Sequence, residues 1–106
     1  MFLHLVSARY IGNYQVEVCF NDGRQGIADL SNIFTGPVFK PLKDPEMFAQ
    51  LRLDKELDTL VWPNGADLAP EYLYFRAFRN EPGLEEKFRK WGYLTETLTV
   101  SLQEVV

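Results

Sequence analysis

The chain has 106 residues, 46% hydrophobic and 25% charged, with a formal net charge of −4. That size and balance fit one ordinary globular domain. The 11 lysines and arginines form no basic run, which argues against a surface built to neutralise nucleic-acid phosphates. A single cysteine, Cys19, excludes an internal disulfide and a paired-cysteine metal site, and no stretch approaches the roughly 18 apolar residues of a membrane span.

Residues 1–6 are apolar but carry neither a basic leader nor a small-residue cleavage site, so a cytoplasmic location is the expectation. Residues 3–10 are rich in β-formers and read as a first strand, and Gly12-Asn13 as a turn. Residues 14–20 alternate, placing Tyr14, Val16, Val18 and Phe20 on one face and Gln15, Glu17 and Cys19 on the other. Asn21-Asp22-Gly23 closes a hairpin, because these residues tolerate positive φ. Residues 24–30 return as a strand, with Gly26 a bulge or a point of close packing. A meander of two or three antiparallel strands results.

Residues 30–34 read as a helical turn. The stretch 36–43 carries two prolines and reads as an irregular loop packed by Val38, Phe39 and Leu42. Asp44-Pro45-Glu46 is a helix start, with a capping Asp, Pro in the first turn and an acid near the positive end of the dipole. Leu51-Arg52-Leu53 leads toward a further strand, and Asp54-Lys55-Glu56 makes a charged turn. In the strand at 57–62, Leu57, Thr59 and Val61 oppose Asp58, Leu60 and Trp62. Pro63 suits a strand end, and Asn64-Gly65 reverses the chain.

A helix is expected from about 70 to 79. Its Tyr72, Leu73, Tyr74, Phe75, Ala77 and Phe78 cover nearly the whole circumference, so it is either deeply buried or flanked by a partner chain. After a break at 80–83, residues 84–91 form an amphipathic helix on Leu84, Phe88 and Trp91, with Glu85–Arg89 and Glu86–Lys90 as i,i+4 pairs and Gly92 as the stop. Residues 97–103 alternate Leu98, Val100 and Leu102 against Thr97, Thr99 and Ser101, a half-buried strand that needs a neighbour. The fold class is α+β, a small antiparallel sheet with short helices on one side. Its main unit is 1–79, and a helix–strand extension, 80–106, packs on that unit or on a neighbouring chain.

Catalytic equipment is sparse. His4 has no catalytic neighbour in sequence, Cys19 no cationic activator, and Ser7, Ser31 and Ser101 no nucleophile-elbow context. Asp54, Glu56 and Asp58 recur at spacing two, but Lys55 interrupts them and no calcium-type loop surrounds them, so a solvated turn is the simpler reading. Asp67 and Glu71 flank a helix start, where capping explains them. The aromatics Trp62, Tyr72, Tyr74, Phe75 and Trp91 read as core, or, with Arg76 and Arg79 interleaved, as a protein interface.

The run Leu60-Val61-Trp62-Pro63-Asn64-Gly65-Ala66-Asp67-Leu68-Ala69-Pro70-Glu71-Tyr72-Leu73 resembles the signature of a small bacterial family, domain of unknown function 2442. Asn21-Asp22-Gly23, Asp29-Leu30, the stretch Gly36-Pro37-Val38-Phe39-Lys40-Pro41-Leu42 and Asp44-Pro45-Glu46-Met47-Phe48 support it, so that the resemblance covers about residues 4–76. It implies a compact α+β fold and no established activity. Members are often encoded beside another small protein, in the manner of toxin–antitoxin pairs, and some carry a helix-turn-helix domain, for which residues 80–106 are too short.

The functional expectation is a non-enzymatic interaction or antitoxin-like accessory domain that self-associates or binds another protein, with no cofactor and no metal. Its candidate surface is Trp62, Asn64, Gly65, Asp67, Pro70 and Tyr72. The alternatives are a component of a DNA-binding transcription regulator and a small-molecule-binding protein with its site near Trp62, Asn64 and Asp67. Direct nucleic-acid contact and a membrane are not expected.

Overall fold

The structure, a computed structural model, describes residues 2–93; the strand expected at 97–103 lies outside them. β1 (Leu5–Gly12), β2 (Gln15–Phe20) and β3 (Gln25–Asp29) form an antiparallel meander in that order. The alternation in β2 is realised as buried Val16, Val18 and Phe20 on the inner face, with Gln15, Glu17 and Cys19 on the outer one. Register shifts between Leu5 and Ser7 and between Tyr10 and Gly12 leave Val6 and Ile11 as the extra residues of two bulges, both exposed.

Tyr14 belongs to the turn and not to the strand that its alternation suggested. Asn13 and Tyr14 have φ of 54° and 61°, the pair of positive values that a two-residue type I′ turn requires. A bulky residue seldom adopts that conformation. Tertiary contacts hold it there: the Tyr14 ring meets Phe34 at 4.8 Å and Phe48 at 5.1 Å, and its hydroxyl donates to the Lys43 carbonyl.

β4 (Arg52–Asp54), β5 (Thr59–Val61) and β6 (Asp67–Leu68) make a second antiparallel sheet with β5 in the centre and all three of its residues buried. The sheets meet at the start of β1, where the Leu5 amide donates to the Asp58 carbonyl at 3.1 Å. Between them in the chain lie α1 (Gly36–Phe39), a 3₁₀ turn at Lys40–Lys43 and α2 (Pro45–Phe48). Prolines marked much of this region as irregular, yet Pro37 and Pro41 both occupy first-turn positions, where a missing N–H costs nothing. The Asp44 carboxylate caps α2 by accepting from the Glu46 amide at 3.0 Å. Residues 30–34, by contrast, form a non-helical turn in which the Asp29 carboxylate accepts from the Ser31 amide at 2.9 Å.

α3 (Pro70–Phe78) lies on the inner face of the first sheet, and α4 (Glu85–Trp91) lies on α3. The approach to β3 is close: a Cβ built on Gly26 would stand 2.7 Å from the Phe78 ring, so Gly26 is a packing point. Tyr74 and Phe78 meet Phe20 at 5.1 and 6.0 Å, while Phe75 meets Phe88 at 5.1 Å and Tyr74 meets Trp91 at 5.8 Å. The chain's own sheet and its own helix thus cover the apolar circumference of α3, and Leu73 and Tyr74 are fully buried. On α4, Arg89 pairs with Glu86 at 3.0 Å, an i,i+3 contact, and Glu85 accepts from the Gly83 amide. The Gly92 and Tyr93 amides close the helix on the Arg89 and Phe88 carbonyls, a Schellman pattern.

Candidate functional site

The signature stretch builds a turn whose hydrogen bonds match those of the first hairpin. In both, a three-residue loop is a tight turn followed by a glycine of positive φ, Gly23 at 88° and Gly65 at 92°. Phe20 and Trp62 each donate their amide to the carbonyl four residues on, at 3.0 and 2.9 Å, and each accepts from the glycine amide. The residue before the glycine, Asp22 or Asn64, uses Oδ1 to accept from the amide two positions on, at 2.9 and 3.1 Å.

The second side-chain atom of each reaches across the fold. Asp22 Oδ2 accepts from the Tyr74 hydroxyl at 2.7 Å and so pins the first hairpin to α3. Asn64 Nδ2 donates to the Val38 carbonyl at 2.9 Å and pins the second hairpin to α1. Trp62 completes that clasp: its Nε1–H donates to the Phe48 carbonyl at 2.9 Å, and its ring lies 5.5 Å from that of Phe48. Phe48 is the hub of an aromatic group that also takes in Tyr10, Tyr14 and Phe34, at 5.3, 5.1 and 6.1 Å.

Of the candidate residues, Trp62 is 2% exposed and directed into the fold, while Asn64 and Gly65 lie at the surface of the turn. Pro70 opens α3, and Tyr72 is half-buried on it, 5.8 Å from Tyr93. Asp67 lies on β6 with an exposed carboxylate that has no hydrogen bond or ion pair among the described residues. Asp67 and Tyr72 come together with Asn32, Ile33, Thr35, Phe39, Leu68 and Ala69 around an open, largely apolar depression of about 340 Å³. Trp62 and Asn64 are not part of it.

Several other polar residues make contacts within the fold. His4 Nδ1 stands 3.4 Å from the Asp58 carboxylate at the junction of the sheets. Asp54 accepts from the Glu56 and Leu57 amides at 2.8 and 3.0 Å, and those bonds hold its carboxyl below the usual range. Among the described residues no group of three or more His, Cys, Asp or Glu could hold a metal ion. Burial pushes the Tyr74 hydroxyl up to about 12, aided by its bond to Asp22. Burial opposes the charge of Asp22, but the Arg24 amide, the Tyr74 hydroxyl and the cations of Arg24 and Lys87 outweigh it and leave its carboxyl lowered. Lys87 also lies 5.3 Å over Tyr74 and 5.7 Å over Trp91. No sequence signal marks Phe48 as hub or Asp22 as an anchor, because both roles depend on partners distant in the chain.

These features define a class, a two-sheet α+β domain whose signature turn is built into its architecture. The family model described as protein of unknown function DUF2442 matches residues 5–79, and the chain belongs to that family. No curated protein matches it in sequence. Among solved structures it is similar to a protein from Nitrosomonas europaea named "Putative DNA Binding Protein", with a TM-score of 0.64 and 20% identity over 74% of this chain. The chain spans 50% of that protein's length, and the likeness is one of fold. Among the described residues no helix is long and apolar enough to cross a membrane.

Proposed function

We propose that this chain is a non-enzymatic protein-interaction domain, an accessory or antitoxin-like partner that acts by binding another protein or a second copy of itself. The observation that carries this reading is the outer side of the first sheet. α3 covers the inner face, whereas Val6, Ile11 and Ile27 are 52, 40 and 49% exposed, on the two strands that edge this sheet among the described residues. Exposed aliphatic residues on unpaired strand edges are a usual means of strand-to-strand association. The structural engagement of Trp62 and Asn64 supports the same reading, since their hydrogen-bonding groups serve the fold. The test is a tagged pull-down from the native bacterium together with the solution mass of the untagged protein. A stoichiometric partner or a concentration-dependent dimer that Ile27→Lys abolishes supports the reading. A strict monomer at tens of micromolar with nothing co-purifying overturns it.

A second reading, a component of a DNA-binding regulator, is favoured by one observation, the name carried by the Nitrosomonas protein of similar fold. That name belongs to a chain about one and a half times as long, and this chain has a net charge of −4, so any DNA contact is assigned to a complex. Retardation of mixed-sequence duplex that weakens steeply with salt supports it, and no retardation at low salt removes it.

A further inference from the structure

Asn64-Gly65 is the one Asn-Gly pair in the chain; Asn13, Asn21, Asn32 and Asn80 precede Tyr, Asp, Ile and Glu. That pair carries a chemistry of its own. Glycine has no side chain to crowd its amide and the greatest backbone freedom, so its nitrogen can reach and attack the carbon of a preceding carboxamide. Pro63, Asn64 and Gly65 are all exposed, so water reaches the turn.

The closed turn engages each group that this reaction needs. The Gly65 amide, the nucleophile, donates to the Trp62 carbonyl at 3.1 Å. Asn64 Oδ1 accepts from the Ala66 amide at 3.1 Å, and Nδ2, the leaving group, donates to the Val38 carbonyl at 2.9 Å. Bonds at both ends fix the carboxamide, so turning its carbon onto the Gly65 nitrogen means releasing them. The clasp that holds the Val38 carbonyl in place continues through the Trp62 indole, which donates to the Phe48 carbonyl at 2.9 Å and stacks its ring 5.5 Å from that of Phe48.

We infer that Asn64 is a self-modification site gated by the clasp. When residues 36–50 lift away, the Gly65 nitrogen bonds to Asn64 Cγ and the Cγ–Nδ2 bond breaks. Nδ2 departs as ammonia with the proton given up by the Gly65 amide, and a five-membered imide remains. Water then adds across either imide C–N bond, leaving an aspartate or an isoaspartate at position 64. Water is the sole co-reactant. Both products replace the Nδ2 donor with an oxygen that cannot donate to the Val38 carbonyl, so the clasp does not close again as it was. The signature turn is thus a one-way chemical switch that records the opening of its own contact with α1.

The experiment incubates the full-length chain at one pH and temperature, folded and in urea, and follows position 64 by peptide mapping with mass spectrometry. Deamidation is fast in urea and slower by at least about tenfold in the folded chain, where it waits on local opening. Trp62→Phe removes one bond of the clasp and accelerates it about fivefold in the fold. Tyr74→Phe, which loosens the first hairpin instead, leaves the rate within about twofold. The modified parent, separated by its added negative charge, loses hydrogen-exchange protection at the Phe48 and Ala49 amides. Equal rates in the folded and unfolded parent overturn the inference, as does an unreactive Asn64 in urea. An equal response to the two variants, or full protection at 48 and 49 after modification, also overturns it. The parent comparison and the modified parent need no variant to fold, and none of these outcomes depends on whether a protein partner exists.

Discussion

Replacing Gly26 with alanine probes the seat of α3 on the first sheet without touching a polar group. The added methyl would lie 2.7 Å from Phe78 Cε1 and 3.3 Å from Cδ1 and Cζ. Contact requires about 3.5–4 Å between carbons, so the ring or the strand must retreat by roughly 1 Å. The ring has little room, being 6% exposed and held by Tyr74 at 4.8 Å and Phe20 at 6.0 Å. Overpacking of this kind costs about 1–3 kcal/mol. Lower backbone entropy of the unfolded alanine chain returns about 0.4–1 kcal/mol. A net loss of about 1–2 kcal/mol follows, which lowers Tm by roughly 4–15 °C for a domain of this size. Urea and thermal unfolding followed by circular dichroism measure it. Phe78→Leu alone also destabilises, by opening space, but in the double variant the two changes compensate by about 1 kcal/mol or more. Additive losses, or a Gly26→Ala protein as stable as the parent, would refute the close contact.

Further outcomes concern the two clasps. Trp62→Phe removes the indole donor, leaving the Phe48 carbonyl with the Leu51 amide at 3.2 Å, and shrinks a buried ring; it destabilises by about 1–3 kcal/mol in urea unfolding, and a loss under about 0.5 kcal/mol would count against an anchoring indole. Burial and the bond to Asp22 raise the Tyr74 pKa in the fold from its ordinary value of 10.0 to about 12, so its contribution is complete below pH 10 and is lost as pH rises toward about 12. Stability measured across that window falls in the parent and falls less in Tyr74→Phe; identical alkaline profiles would contradict the assignment. The Asp22, Asp29 and Asp54 carboxyls are all lowered in the fold, so their contribution is present above the unfolded value near 4 and is lost as pH falls through the folded values. Tyr74→Phe should flatten part of that acid limb, because it removes one of the bonds that lower Asp22.

Much of the fold is legible in local chemistry. Asn21-Asp22-Gly23 and Pro63-Asn64-Gly65 announce reversals because a glycine must supply positive φ, and both hairpins form there. The β2 alternation, the Asp44 cap and the Gly92 stop also act within a few residues and are realised. What escaped the sequence is either too short to be periodic or decided at long range. β6 has two residues and no alternation to display. Tyr14 continues the alternation of β2, but contacts with Phe34 and Phe48 hold it in the turn. The apolar circumference of α3 was visible, but that α4 and the first sheet would cover it was not. For the same reason the Asn64–Val38 bond, 26 residues apart in the chain, has no signature except the residues themselves.

The role of the signature turn as a clasp on residues 36–50 is tested most directly by native-state hydrogen exchange in Asn64→Asp. This change keeps Oδ1, which accepts from the Ala66 amide, but replaces the Nδ2 donor to the Val38 carbonyl with an oxygen that cannot donate. Loss of one such bond, about 1 kcal/mol, corresponds to about a fivefold change in local opening. The Phe48 and Ala49 amides, which bond to the Asp44 and Pro45 carbonyls, should lose about that much protection, while amides at the centre of β2 keep theirs. Unchanged protection at 48 and 49, or a uniform loss that includes β2, would contradict a local clasp.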